Sequence, residues 1–144
     1  MLTGQIEEAR VLDLYAGTGA VGIEALSRGA CQVDFVDLDK KCTQLIKANL
    51  AICNFDKQAT VYKEDASKFV SKQMEKAYDL IFFTPPYPIF SIAILRQTLP
   101  LLKPDGCLVA EMDSHDPFVE EDFAAGLIQR VKTYGDTRII IFGN

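Results

Sequence analysis

The sequence predicts an α/β fold with a mainly parallel sheet, helices on both faces and an antiparallel β-hairpin at the C-terminal end. Three observations carry that expectation. Short apolar runs alternate with stretches whose apolar residues recur at helical spacing. A glycine-rich turn follows the first apolar run and opens the first long helical pattern. Near the end, Gly135-Asp136 separates two β-rich runs, which reads as a hairpin. The 144 residues contain no repeat, low-complexity tract or linker, so one domain, 1–144, is expected.

The elements follow in order. "RVLDLY" (Arg10–Tyr15) and "VDFVD" (Val33–Asp37) read as buried strands, with "AVGIEALSRG" as a helix between them and Gly29 at its end. Asp39 is placed to cap the helix "KKCTQLIKANLAIC", with Leu45, Ile46, Leu50 and Ile52 supplying its buried side. "ATVYK" is a third strand, and Asp65 opens a short helix, "ASKFVSKQM". "YDLIFF" is a fourth strand, and "IFSIAILRQTLPLL" a further helix. A turn at Pro104-Asp105-Gly106 leads to a fifth strand, "CLVAEM", before the terminal hairpin.

Composition removes several function classes. No apolar run is long enough to cross a membrane, and Met1–Gln5 lacks the basic and apolar regions of a signal peptide. Cys31, Cys42, Cys53 and Cys107 form no C-x-x-C pair and have no histidine cluster. They are read as reduced, half-buried thiols of a cytoplasmic protein without a zinc site. The net charge of −5 opposes nucleic-acid binding at long range, so any such binding needs a local basic face or a further segment.

Ligands of such sheets bind beyond the carboxyl ends of the strands, at the switch in strand order. That rule selects Asp13 to Gly19, Asp37, Asp65, Thr84 to Tyr87 and Glu111. Gly17-x-Gly19-x-x-Gly22 lies after a strand and before a helix, with Asp37 twenty residues beyond Gly17. This spacing suits an adenosine cofactor, either NAD or S-adenosylmethionine. Asp13 separates the two, because an acid just before the loop would repel a pyrophosphate but hold an ammonium group. Asp13, Asp37 and Asp65 at three successive strand ends then read as acceptors for ammonium, ribose and adenine. Capping of the following helices is the plainer role open to Asp37 and Asp65.

"FFTPPY" (Phe82–Tyr87) ends an apolar run in a stiff corner. Proline fixes φ and lacks an N–H, and the residue before it is pushed into an extended conformation. Thr84 is therefore held extended, and Tyr87 is presented by a rigid turn. Taken alone, the hexapeptide is a strand terminator with a surface tyrosine.

"DLYAGTGAVGIEALSRGA", "VDLD", "EDAS" and "TPPY", in this order, resemble the class I methyltransferases that modify exocyclic amines. The chain is most similar to the bacterial 16S rRNA guanine-N2 methyltransferase family (RsmD type), from about Arg10 to Phe142. The resemblance implies a Rossmann-like class I methyltransferase fold that takes S-adenosylmethionine. Asp13, Ala16, Gly17 and Gly19 would border the methionine part, Asp37 would take the ribose hydroxyls, and Asp65 with Ala66 the adenine. Thr18 and Asp39 complete the expected cofactor set. A guanine N2 amine is a poor nucleophile because its lone pair is delocalised into the ring. Two acceptors, the Thr84 side chain and the Pro85 carbonyl, would draw the nitrogen toward tetrahedral geometry. Pro86 adds stiffness, and Tyr87 offers a face for an unstacked base. The substrate would be 16S rRNA in an assembled small-subunit particle, approached by a monomer in the cytoplasm.

Two departures from the family stand out. The family normally has Asp where this chain has Thr84, so a competent site of reduced rate is expected. Only nine residues precede the first strand, where the family has a basic segment, so a truncated or mis-started chain is expected. Alternatives are a DNA or RNA adenine-N6 methyltransferase, a catalytically weak S-adenosylmethionine-binding module, and an NAD oxidoreductase. Outside the site, His115 reads as a loop residue and Lys40, Lys41 and Lys47 as a solvated helix face. Arg138 reads as half of a strand-surface ion pair, and Glu111 is placed equally well for the site or for a lysine.

Overall fold

The parallel part of the sheet begins with β1 (Arg10–Leu14), whose residues after Arg10 are all buried. A strand buried on both faces needs apolar side chains pointing both ways, and Val11, Leu12 and Leu14 supply them. This computed structural model describes residues 3–143. The remaining strands are β2 (Gln32–Asp37), β3 (Ala59–Lys63), β4 (Tyr78–Phe83), β5 (Leu102–Asp113), β6 (Ile128–Tyr134) and β7 (Thr137–Gly143). They form one seven-stranded sheet in the order β3-β2-β1-β4-β5-β7-β6. The first five are parallel, and β7 runs antiparallel between β5 and β6. The expected fold and terminal hairpin are therefore present, with the last strand inserted inside the sixth.

Helices lie on both faces. α1 (Thr3–Ile6), α2 (Ala20–Ser27) and α3 (Lys40–Ile52) cover one, where Ile6, Ala25, Leu26, Ile46 and Leu50 pack with Val11, Val33 and Phe35. α4 (Ala66–Lys72) and α5 (Ile92–Thr98) cover the other, where Phe69, Val70 and Leu95 pack with Leu12, Leu14 and Ile81. Each fully buried side chain of this size contributes about 1.5–3 kcal/mol.

Four local expectations are corrected. In α3 the buried residues are Thr43, Ile46 and Leu50, while Leu45 and Ile52 are 45% and 77% exposed. At about 100° per residue these two project from the side opposite the buried stripe. The helix expected from Ile89 begins at Ile92, because the Ser91 hydroxyl accepts from the Ile94 N–H and sets the start there. Tyr87–Ile89 and Leu99–Leu101 on either side are single 3-10 turns. Pro104-Asp105-Gly106 is not a turn before β5 but an irregularity within it, with Asp105 at φ 66° and the pairing jumping from Tyr78–Leu102 to Leu80–Cys107. The four cysteines are free, but only Cys42 is half-buried: Cys31 and Cys53 are exposed and Cys107 is buried.

The topology fixes where a ligand can sit. Strand order reverses between β1 and β4, which are neighbours with Leu14 level with Phe83. The glycine loop after β1 and the double-proline corner after β4 therefore emerge side by side at the switch point.

Candidate active site

Four chain segments meet at that end of the sheet: Tyr15–Gly19 after β1, Asp37–Asp39 after β2, Glu64–Ala66 after β3 and Thr84–Tyr87 after β4. Together they wall a cavity of about 680 Å³, within the size range of small-molecule sites. Of the expected residues, Gly17, Asp37, Asp39, Asp65 and Ala66 line it on the cofactor side, and Thr84, Pro85, Pro86 and Tyr87 line the other. Asp13 is buried behind the loop, and Ala16, Thr18 and Gly19, although part of the loop, do not line the cavity.

The loop's glycines serve different ends. Gly17 has φ 59° and open space where a side chain would begin, so its backbone faces the cavity bare. Gly22 is a packing residue, since an added Cβ would lie 2.3 Å from the Phe35 ring. Tyr15, whose φ of 63° is unusual for a non-glycine residue, meets Phe83 edge-to-face at 5.4 Å, and Phe83 meets Phe90 at 5.7 Å. This aromatic chain braces the loop from beneath. Burial, with the nearby Asp65 charge, pushes the Tyr15 hydroxyl up to about 12, so it stays a neutral donor.

The acids are held by backbone. Asp37 accepts from the Gly17 N–H at 2.8 Å and the Asp39 N–H at 2.9 Å, tying β2 to the glycine loop. Asp39 caps α3 through the Lys41 N–H at 2.7 Å, as expected. Asp65 caps α4, with one carboxylate oxygen taking the Ser67 hydroxyl at 2.6 Å and the Lys68 N–H at 3.2 Å. These bonds hold its pKa below the usual carboxylate value. Asp13 is 1% exposed; one oxygen takes the Gly22 N–H at 3.1 Å and the other has no partner among the described residues. Burial raises its pKa to about 7 despite the Gly22 bond, and the Asp37 charge adds to the rise.

The wall carries Asp37, Asp39, Glu64 and Asp65 and, among the described residues, no Lys, Arg or His. Such a wall attracts cations and repels a pyrophosphate. S-adenosylmethionine, with a sulfonium and an ammonium, fits the residues present; the orphaned Asp13 oxygen lies next to a loop suited to its methionine end.

Beyond the expected residues, Tyr15, Leu38, Cys42, Glu64 and Ile89 also line the cavity. Leu38 and Ile89 are 63% and 57% exposed and supply apolar surface to an acidic wall. The readable signal for Leu38 was its place between two acids just after a strand; Cys42, Glu64 and Ile89 gave none. Glu111 does not reach the wall and sits level with Ile139 in the β5–β7 pairing. Arg138 forms no close ion pair among the described residues: its guanidinium donates to the carbonyls of Asp116 at 2.6 Å and Ser114 at 2.8 Å, and, after the hydrogen bonds from His115, its charge helps to lower the pKa of Asp113 on β5. His115 lies in that same loop, 2.7 Å from Asp113, whose carboxylate raises the imidazole pKa. Lys40, Lys41 and Lys47 are exposed, as a solvated face requires.

The family model described as "Conserved hypothetical protein 95" matches residues 1–143. The chain is 37% identical over 149 residues to "Putative rRNA methyltransferase YlbH" of Bacillus subtilis, covering 99% of this chain and 79% of that protein. It is 32% identical over 123 residues to "Ribosomal RNA small subunit methyltransferase D" of Haemophilus influenzae, covering 79% of this chain and 62% of that protein. The aligned part thus spans less than two thirds of the latter. A solved structure described as a conserved hypothetical protein of Streptococcus pyogenes superposes with a TM-score of 0.84 at 29% identity, covering 94% of this chain and 86% of that one.

Proposed function

The chain belongs to the Conserved hypothetical protein 95 family, and from that membership and the acid-lined cleft we propose that it methylates ribosomal RNA with S-adenosylmethionine as methyl donor. The finer reading is transfer to the exocyclic N2 amine of a guanine in 16S rRNA. One observation carries it: the TPPY corner and the glycine loop open into a single cavity. The cofactor supplies an electrophilic methyl group on a sulfonium.

The chain's own residues bind and aim. Asp37 faces the cavity with lone pairs left for a ribose diol, although both its oxygens already hold backbone N–H groups. Asp65 and Ala66 border the position for adenine, with Leu38 offering apolar surface nearby. Asp13, buried off the cavity wall, acts on the ammonium through a water. At the other wall Thr84 is half-buried, Pro85 buried and Tyr87 half-buried. The Thr84 hydroxyl and the Pro85 carbonyl accept from the two N–H groups of the amine. The nitrogen lone pair, so aimed, would take the methyl group from the sulfonium and release S-adenosylhomocysteine, and the amine would give up one proton to solvent. Alignment of this kind accounts for a large part of such a rate enhancement. The working form is a monomeric single domain in the cytoplasm, and the base is presented by an assembled small-subunit particle.

The test is transfer of labelled methyl groups from S-adenosylmethionine to small-subunit particles lacking this modification, followed by nucleoside analysis. N2-methylguanosine is the expected product. N6-methyladenosine would move the assignment to the adenine enzymes. Tight binding of S-adenosylhomocysteine with no transfer, even by Thr84→Asp, would leave a cofactor-binding module.

A further inference from the structure

We propose that the outward face of the β6–β7 hairpin binds single-stranded RNA flanking the target base, with phosphates over β6 and a base on Tyr134. This rests on the methyltransferase reading for its substrate class and adds the path by which that substrate is held.

The pairing of β6 with β7 sets Tyr134 opposite Thr137, Lys132 opposite Ile139 and Arg130 opposite Ile141. Directly opposed residues of an antiparallel pair share a face, so these six side chains line one strip, with Ile141 buried at its floor and Ile139 partly buried beside it. It starts at the active site, because the Thr137 hydroxyl is hydrogen-bonded to the Tyr87 hydroxyl. Tyr134 is 56% exposed, and the Lys132 ammonium stands 5.5 Å from its ring centroid. Arg130, Lys132, Tyr134, Ile139 and Ile141 surround a recess of about 280 Å³.

This chemistry suits a single strand: an aromatic platform takes a base face, and adjacent cations take the phosphates. The charge arrangement gives the strand a side. β6 carries Arg130 and Lys132 and no acid, in a chain of net charge −5. The acids of the same face, Glu111 and Asp113, lie on β5, beyond β7 and away from the edge. Phosphates are therefore favoured at the outer edge, over β6, and bases inward, toward Tyr134 and Tyr87. The opposition that the overall charge sets up is met by a local basic strip that leads to the catalytic corner.

The experiment measures binding of a fluorescent single-stranded RNA of about twelve nucleotides, within the span such surfaces cover, to the S-adenosylhomocysteine-loaded chain at several salt concentrations. Lys132→Glu should weaken binding at least tenfold at low salt and lower the log–log salt slope by about one. Tyr134→Ala should weaken it by about tenfold with the slope unchanged. Calorimetry with S-adenosylhomocysteine should give parent affinity for both variants, which shows that they are folded. Parent-like RNA binding by both variants overturns the inference, as does an absence of RNA binding by the parent or its replacement by strand-edge self-association. Parent methyl transfer, measured in parallel, separates the two readings. Transfer without any effect of the hairpin variants sinks this surface alone; hairpin-dependent binding without transfer sinks the methyltransferase reading alone.

Discussion

The two ends of the same sheet treat their carboxylates in opposite ways. At the amino end of the parallel strands, Asp34 accepts from the Tyr78 hydroxyl at 2.6 Å and faces Arg10 at 3.6 Å, with the Arg10 guanidinium 5.2 Å from the Tyr78 ring centroid. Asp79 there takes the Arg10 N–H at 2.8 Å and the Lys103 ammonium at 3.2 Å. On the cavity wall at the carboxyl end, Glu64 is paired with Lys72, while Asp37 and Asp65, with Asp13 behind them, are held by N–H and hydroxyl groups and form no close ion pair among the described residues. The carboxylates of one end are met by cations of the chain; those of the other keep acceptor capacity, which the proposed function gives to a ligand. On the proposed function, the same residue type serves stability at one end and recognition at the other.

The sharpest way to break this contrast is through Asp13. Its pKa is raised to about 7 in the folded protein from an ordinary value of 3.8. Between those values the folded chain binds more protons than the unfolded one, so stability should fall as pH rises from about 4 to 7. The total is on the order of 4 kcal/mol. Denaturant unfolding across that range should show the slope in the parent and lose it in Asp13→Asn. The same substitution should weaken S-adenosylhomocysteine binding roughly 10- to 150-fold, since it removes a charge-assisted contact, made through a water, to the ammonium. An Asp13→Asn protein that kept both the slope and the affinity would erase the distinction between the two ends.

The mirror experiment is Asp34→Ala. It strands a fully buried tyrosine hydroxyl and should cost about 1–3 kcal/mol of stability. S-adenosylhomocysteine affinity should stay at the parent value below the melting range. Loss of affinity in a folded Asp34→Ala protein would mean that the ends are coupled.

Much of this contrast was legible from residues alone. The alternation of strands and helices gave the sheet, and the rule about strand ends selected Asp37, Asp65 and the TPPY corner, all of which reach one cavity. Side-chain partnerships were less legible. Helical spacing admitted Leu45 and Ile52 to the core because the window held apolar residues on two sides, and only packing against Phe35 and its neighbours selects Ile46 and Leu50. Arg138 resembles an ion-pair residue in any strand, yet its partners are carbonyls of a loop 22 and 24 residues away. Tyr15 fell within the strand-end range but was given no role, because strain at φ 63° is a property of the folded loop and leaves no mark in composition.

At the double-proline corner, the proposed function gives Thr84 the role of an acceptor without charge. Thr84→Asp should raise the single-turnover methyl-transfer rate by about tenfold, the increment expected when a neutral hydrogen bond becomes charge-assisted. The extra acid joins a wall that already holds four, so its own pKa should rise and the gain should shrink as pH falls. A rate no higher than the parent's would remove Thr84 from the acceptor role.

The smallest effect tests the apolar part of the same wall. Leu38 is 63% exposed and lies between Asp37 and Asp39, so solvent, not the core, meets it in the free protein. A leucine there contributes little to folding, because most of its surface stays wet; Leu38→Ser should change stability by less than about 0.5 kcal/mol. Burial beneath a bound adenine would remove part of that surface from water, at roughly 25 cal/mol for each Å². The variant should therefore lose a few-fold in S-adenosylhomocysteine affinity and keep its melting temperature. Ile52 is the control, since at 77% exposure it is as wet as Leu38 and lies outside the cavity. Ile52→Ser should alter neither quantity. An equal loss of affinity in both variants would show that leucine placement at the carboxyl end carries no recognition, and the contrast would then belong to the carboxylates alone.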